Sequence, residues 1–169
     1  DTTNKQLGAV FIGTPVSVAA GVKALRAAGS SATVATLSNN ASSGFVKELG
    51  AVAPGVVVSQ VFPSERSLAT PMIAEAAKLA AAKGVKQLTP AMIEGYAAAK
   101  VLVLGLRKAS GDGKTTVTRA SFKKALESFD QVDIGGGLGG ASVSYSATDH
   151  TGLDYVDLSY IGGDGTFRR

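Results

Sequence analysis

Cysteine is absent from the 169-residue chain, which excludes a disulfide framework and any thiol chemistry. That suits a periplasmic protein without bridges and a cytosolic one equally. Histidine is nearly absent. His150 stands alone, with no HExxH spacing and no cysteine to complete a metal set. No GxSxG elbow occurs either. No stretch reaches the roughly 18–20 apolar residues of a membrane span; the longest apolar run, around Gly95–Leu106, is broken by Lys100. Blocks of like charge are missing too. The net charge is +4, but lysines and arginines are scattered, whereas a nucleic-acid interface gathers them on one face or in runs. No nucleic-acid partner is expected. The chain opens DTTNKQ, polar and without methionine. That is not a signal peptide, so the expectation is a processed chain with its signal peptide removed, or an excised piece.

Two glycine-rich stretches imitate phosphate loops without their context. Gly135–Gly140 fits GxGxxG, but a helix pattern precedes it and a strand pattern follows, the reverse of the dinucleotide motif. A flexible linker is the better reading. Gly111–Thr115, GDGKT, imitates the end of a Walker loop, yet Lys108 falls where that motif needs its first glycine. His150, in ATDHTG between two strand patterns, reads as a turn residue. Asp154 and Asp157 alternate on a strand and are expected to face solvent. No catalytic constellation assembles, and no cofactor or metal is expected.

What is present is a core. Hydrophobic residues make up 45% of the chain and charged ones 18%, enough to fold and too few charges for wholesale disorder. The clearest strand pattern is Gly55–Pro63, GVVVSQVFP, β-branched and bracketed by Pro54-Gly55 and Pro63. Its near-continuous apolar run predicts a strand buried on both faces. Before it, Leu7–Ile12 reads as a strand and Pro15–Ala28 as a helix with Val18, Val22 and Leu25 on one face. Thr33–Leu37 reads as a second strand, Ser38–Ser43 as a polar loop and Phe45–Leu49 as a short helix. This βαβαβ order implies an α/β fold with a parallel sheet and right-handed crossovers.

After Pro63 the architecture changes. Thr70-Pro71 and Thr89-Pro90 each place a capping hydroxyl before a proline in the first turn, predicting helices to about Lys83 and Lys108. The second, with YAAAKVLVLGL, is apolar nearly all round and should lie in the interior, with Tyr96 and Val101 inside. Thr118 should cap a third helix through Phe129. Strands are expected at Ala141–Ser146 and Tyr155–Ile161, and Asp164-Gly165 marks a turn.

In open α/β sheets ligands bind at the carboxyl ends of strands. Those ends are Gly13-Thr14, Ser38-Asn39-Asn40 and Gln60–Phe62. They offer small polar groups, two of them leading toward a helix N-terminus that favours an anionic group such as a carboxylate. Taken singly, Thr14 and Ser38 are as well explained as helix caps.

The stretches GTPVSVAAGVKALRAAG, ATLSNN, APGVVVSQVFPSE, TPAMIEGYAAAKVLVLGLRKA, FKKALESF and TDHTGLDYVDLSYIGGDGTF, in this order, resemble the second half of type I periplasmic substrate-binding proteins of the leucine/isoleucine/valine-binding kind. The resemblance covers essentially the whole chain. It implies two Rossmann-like lobes joined by crossing strands, of which this chain holds an incomplete set. Residues 1–59 would form the βαβαβ portion of the second lobe, 60–134 a helical portion of the first, and 135–169 a return to the second. The resemblance makes Thr14, Ser38, Asn39, Gln60, Phe62 and Met92 the candidate ligand-binding set. An aromatic residue that the family's aliphatic amino acid binders carry falls on Thr14–Val16 here, and their acidic residue near Ser38–Asn40. The ligands implied are therefore amino acids, amides or aromatic acids. The function implied is that of a solute-binding receptor of an ABC importer, periplasmic and without catalysis, partnered by a transporter permease and by the N-terminal half of the same protein. A ligand-sensing domain of a signalling receptor is the alternative. A hydrolase or transferase would need paired catalytic groups. The fragment alone is expected to self-associate through Met92–Leu106.

Overall fold

Residues 8–135, 141–153 and 156–169 are described by a computed structural model. Its central strand is β3, Val57–Gln60, which pairs in parallel with β2, Val34–Thr36. On its other side β3 pairs antiparallel with β6, Asp157–Ile161, in the register Val57↔Tyr160 to Gln60↔Asp157. β1, Ala9–Phe11, extends the parallel side, and β7, Phe167–Arg168, closes the antiparallel side. The five strands therefore run β1-β2-β3-β6-β7, the α/β sheet expected, with an antiparallel pair added to the parallel strands.

Local chemistry explains the flanking helices. Thr14 caps α1, Pro15–Ala27, accepting from Ser17 N at 3.4 Å, and Pro15 fills a first-turn position that needs no N–H. The helix buries Val18, Ala19 and Val22. Gly21 lets it approach the sheet, because a Cβ there would sit 2.6 Å from the Phe11 ring. Ser42 caps α2, Ser43–Leu49, which buries Phe45 and Leu49. These side chains join Val34, Val56, Val58, Ile161 and Phe167 in one core. At the β6–β7 turn Gly165 takes a φ of 74°. Asp164 accepts there from Thr166 and Arg168, which hold its carboxyl well below the usual carboxylate range.

Two expectations for this region change. β3 is not buried on both faces: Val58 and Gln60 are buried, while Val57 and Ser59 are half-buried. The helices cover one face of the sheet, and Val10, Leu158 and Tyr160 remain exposed on the alternate positions. The predicted loop at Ser38–Ser43 begins as a 3-10 turn over Ser38–Asn40, closed by Ala41 N donating to Ser38 O at 2.8 Å. Leu7 lies outside the described residues.

By their contacts the described residues form two compact units. The first holds those up to Val61, Thr89–Ala91 and Val156–Arg169; the second holds Phe62–Leu88 and those from Met92 to residue 153. In the second, α3, Pro71–Ala82, lies beside α4, Pro90–Ser110. Glu75 Oε2 accepts from Lys100 at 2.6 Å and from the Tyr96 hydroxyl at 2.9 Å. Lys100, then Tyr96, lowers the Glu75 pKa; burial and the Glu75 bond push the Tyr96 phenol up to about 12. Thr70 flanks α3 but its hydroxyl donates to Ser67 rather than capping the helix. α5, Arg119–Leu126, opens on a capping box between Thr118 and Ser121. It ends three residues short of the expected Phe129, which turns in behind it and is buried. β4, Val132–Asp133, and β5, Ser142–Val143, form an antiparallel pair inside this unit. β5 is shorter than the Ala141–Ser146 strand expected, and the return to the first unit begins at Val156. Residues 136–140 of the glycine-rich stretch, with Asp154 and Tyr155, lie outside the described residues.

The largest correction concerns α4. It was expected in the interior, but it buries only Ile93, Ala97 and Gly105. Tyr96 and Val101 are half-buried, and Met92, Leu102, Val103 and Leu106 are exposed. An apolar composition says that a helix can be covered all round; it does not supply the covering surface. Gly105 marks the covered side, where a Cβ would stand 2.8 Å from Phe122 and Leu126.

Two glycine substitutions should move stability in opposite directions. Gly21→Ala drives a methyl into the Phe11 ring and should cost about 1–3 kcal/mol. Gly95→Ala, with nothing within 4 Å of the added Cβ, should gain about 0.5–1 kcal/mol from helix propensity. Urea denaturation reads both. A neutral Gly21→Ala would contradict the close approach of α1 to β1.

Candidate functional site

Parallel pairing brings the carboxyl ends of β1, β2 and β3 to one edge of the sheet. Gly13 and Thr14 follow β1, Ser38–Asn40 follows β2, and Gln60 ends β3. The β1 and β2 ends are tied together by side chains. Asn39 Nδ2 donates to Gly13 O at 3.0 Å, and Asn40 Nδ2 donates to the same oxygen at 3.3 Å and to Thr36 Oγ1 at 2.8 Å. Thr36 Oγ1 in turn donates to Phe11 O at 2.8 Å. At β3, Gln60 Nε2 donates to Ser159 Oγ at 2.7 Å, and Ser159 Oγ donates to Val58 O at 3.2 Å. Thr36, Asn40, Gln60 and Ser159 are all buried. Thr14 and Asn39 stand outside this layer, exposed, with Ser38 half-buried beside them.

Four of the sequence-predicted residues, Thr14, Ser38, Asn39 and Gln60, thus belong to one edge, although the Gln60 side chain is buried against Ser159. Phe62 and Met92 belong to the second unit. Phe62 is buried there, and Met92 is exposed in the first turn of α4. Sequence reasoning passed over Thr36, Asn40 and Ser159. Asn40 sat inside the polar stretch that drew attention, but nothing local separates it from Asn39. Ser159 lies 99 residues from Gln60, so only the β3–β6 register reveals the pair. Thr14, Ser38, Asn39, Asn40 and Gln60 carry hydroxyls and amides and no ionisable side chain. These five side chains can hold and orient a polar group, and none of them is a general acid, a general base or a charged nucleophile; a carboxylate does stand opposite Gln60, that of Asp157, paired with Arg169 at 2.8 Å.

The second unit contains a cavity of about 540 Å³ between the end of α5 and the Tyr145–Leu153 loop. Glu127, Phe129, Asp130, Tyr145 and Asp149 are among its lining residues, and none of the predicted site residues is. At its rim His150 Nε2 meets Glu127 Oε1 at 3.1 Å, and Lys123 pairs with the same carboxylate. Lys123 first, then His150, lowers the Glu127 pKa, and the Thr151 backbone N–H lowers that of Asp149. The lone histidine is therefore the partner of a surface carboxylate. Among the described residues no three acidic or histidine side chains gather as metal ligands would.

Removing the Ser159 hydroxyl should strand the buried Gln60 amide. Ser159→Ala is expected to cost about 1–3 kcal/mol in urea denaturation. Adding Gln60→Met should recover most of that loss, since replacing both partners by apolar groups leaves nothing unsatisfied. Strictly additive losses in the double variant would contradict the pair.

A family model described as periplasmic binding protein matches residues 4–165. Among solved structures, a substrate-binding periplasmic protein from Ralstonia solanacearum is 28% identical with a TM-score of 0.77, over 94% of this chain and 44% of its own. An extracellular ligand-binding receptor from Verminephrobacter eiseniae is 28% identical with a TM-score of 0.76, over 96% of this chain and 44% of its own. A possible leucine/isoleucine/valine-binding protein from Rhodopirellula baltica is 26% identical with a TM-score of 0.77, over 95% of this chain and 42% of its own. The chain thus spans less than half the length of these proteins. No curated protein matches it.

Proposed function

This chain belongs to the periplasmic binding protein family, a family of binding proteins rather than enzymes, and from that premise we propose that it is part of a solute-binding receptor serving an ABC importer. The receptor works in the periplasm and takes a small amino acid-like or polar organic ligand. The strand-end edge of the first unit forms one wall of the ligand site, with Thr14, Ser38 and Asn39 as its contact groups and Gln60 setting its floor. In a protein of the relatives' length, the remaining polypeptide completes the opposite wall, and the transporter permease receives the ligand when the lobes reopen.

The observation that carries this reading is the convergence of the β1 and β2 ends on Gly13, where two asparagine amides meet one carbonyl. Such an edge presents neutral hydrogen-bonding groups beside the positive end of α1, whose first turn carries no acidic residue. It suits a ligand with a carboxylate or amide end. Of the relatives described above, the possible leucine/isoleucine/valine-binding protein supports the same ligand class. No helix among the described residues is long and apolar enough to cross a membrane.

Calorimetric titration tests this reading. A protein of the relatives' full length should bind at least one member of a panel of aliphatic amino acids, their amides and aromatic acids. Thr14→Ala and Asn39→Ala should each weaken that binding by about 1 kcal/mol, roughly fivefold. The 169-residue chain alone should bind none of them at micromolar affinity, because a ligand buried between walls needs partners from both. It should sediment as an oligomer held by the exposed Met92, Leu102, Val103 and Leu106 face. A monomeric 169-residue chain with micromolar affinity, or full affinity in both variants, would contradict the proposal.

A further inference from the structure

Asn40 is the most deeply set polar residue of the strand-end edge, with none of its surface exposed. Its amide nitrogen has two hydrogens and two acceptors, Gly13 O at 3.3 Å and Thr36 Oγ1 at 2.8 Å. The orientation of the amide follows from its neighbours. Gly13 O can only accept. Thr36 spends its single hydroxyl hydrogen on Phe11 O, so toward Asn40 it too can only accept. Both positions therefore require a donor, and the amide must turn its nitrogen to them. Its Oδ1 is left buried without a partner. A buried acceptor without a donor is costly, so the geometry keeps both amide hydrogens on the turn at the expense of the oxygen.

We propose that Asn40 is the positioning residue of this edge: through Gly13 O and Thr36 it fixes the β1–α1 turn against the end of β2, and so sets where Thr14, Ser38 and Asn39 stand. Its functional part rests on the ligand-wall reading given above. Asn39 donates to the same Gly13 carbonyl from an exposed position, and makes no bond to Thr36. It adds a second hold on the turn and leaves the link to β1 and β2 to Asn40. A Cβ at Gly13 would lie 2.7 Å from Ser17 Oγ, so the turn has little room for a side chain at this position.

Asn40→Asp separates this role from simple packing. The carboxyl has the amide's shape, but it donates only when protonated, and then through one hydrogen to one of the two acceptors, so low pH restores the hold in part. Burial and the two acceptors raise its folded-state pKa above the unfolded value of about 3.9. Phe11, Gly13 and Thr36, the groups on that link, carry no charge to oppose this. With the folded pKa raised, the bond is present at low pH and is lost as pH rises through that value. Hydrogen exchange of the 169-residue chain, corrected for intrinsic rates, should therefore show protection at Ser17 and Val18, whose N–H groups donate to Thr14, falling at least about tenfold at pH 7 in N40D and recovering toward pH 4.5. The β3 amides should be unaffected. Should N40D fail to fold at pH 7, Thr36→Val supplies the reading, with loosening of the same amides at every pH. Wild-type protection in N40D at pH 7, a loss equal at both pH values, or an unmoved T36V would overturn the strut. In a protein of the relatives' length, titrated with leucine and with 3-phenylpropanoate, N40D should weaken whichever binds at least tenfold at pH 7; unchanged affinity would overturn the positioning role. Exchange is read without ligand, so failure of the strut is distinguishable from absence of binding in the wild-type protein, which would instead count against the ligand wall.

Discussion

The fold depends on the pairing of β3 with β6. The chain leaves the first unit at Val61 and rejoins it at Val156, yet Val57–Gln60 and Asp157–Tyr160 stand in register. Loop-closure entropy grows only slowly with length, so an intervening stretch of this size is tolerated if the pairing recovers enough burial. It does so on both sides of β3. Ile161 and Phe167 complete the core that α1 and α2 begin, and Ser159 satisfies the buried amide of Gln60. Without β6, β3 would be an unpaired edge beside two short parallel strands, and short parallel sheets are poor independent structures.

The same pairing fixes the chemistry of the edge. Strand ends in an α/β sheet carry backbone groups that the sheet no longer satisfies, and loops must supply partners. Here Thr36, Asn39 and Asn40 close that deficit with neutral groups. Neutral donors and acceptors keep their roles across the physiological pH range, so these bonds hold one geometry throughout it. One ion pair stands at this edge, Asp157 opposite Gln60 with Arg169; Asp164 with Arg168, Glu75 with Lys100 and Glu127 with Lys123 lie elsewhere, and solvent-accessible pairs contribute little to stability.

Much of the fold was legible because local signals and tertiary structure agree. Pro15 after Thr14, the Val18–Val22 spacing and the β-branched run of β3 each point to the element that forms. The convergence of Gly13, Ser38 and Gln60 followed from strand order alone. What stayed hidden depends on partners distant in sequence. The apolar run at β3 is compatible with one covered face or two, and the covering helices decide which. α4 is as apolar as an interior helix, yet Leu102, Val103 and Leu106 are exposed. Asn40 could not be told from Asn39 in a run of small polar residues, because the difference lies in which one turns inward. The cavity-lining residues, from Glu127–Gln131 and Ser142–Leu153, carried no functional motif, and their cavity forms where segments distant in sequence meet, with Phe129 beside Tyr145.

A periplasmic binding protein is defined by where its ligand rests, and the central claim here is that the strand-end edge is that place. Amide chemical-shift mapping of a protein of the relatives' length, using the small molecule that native mass spectrometry finds retained by it, tests this directly. The account predicts the largest shifts at Gly13, Thr14, Ser38 and Asn39, with Asn40 following through its bond to Gly13. Shifts confined to Glu127–Leu153, with the strand ends unmoved, would contradict it.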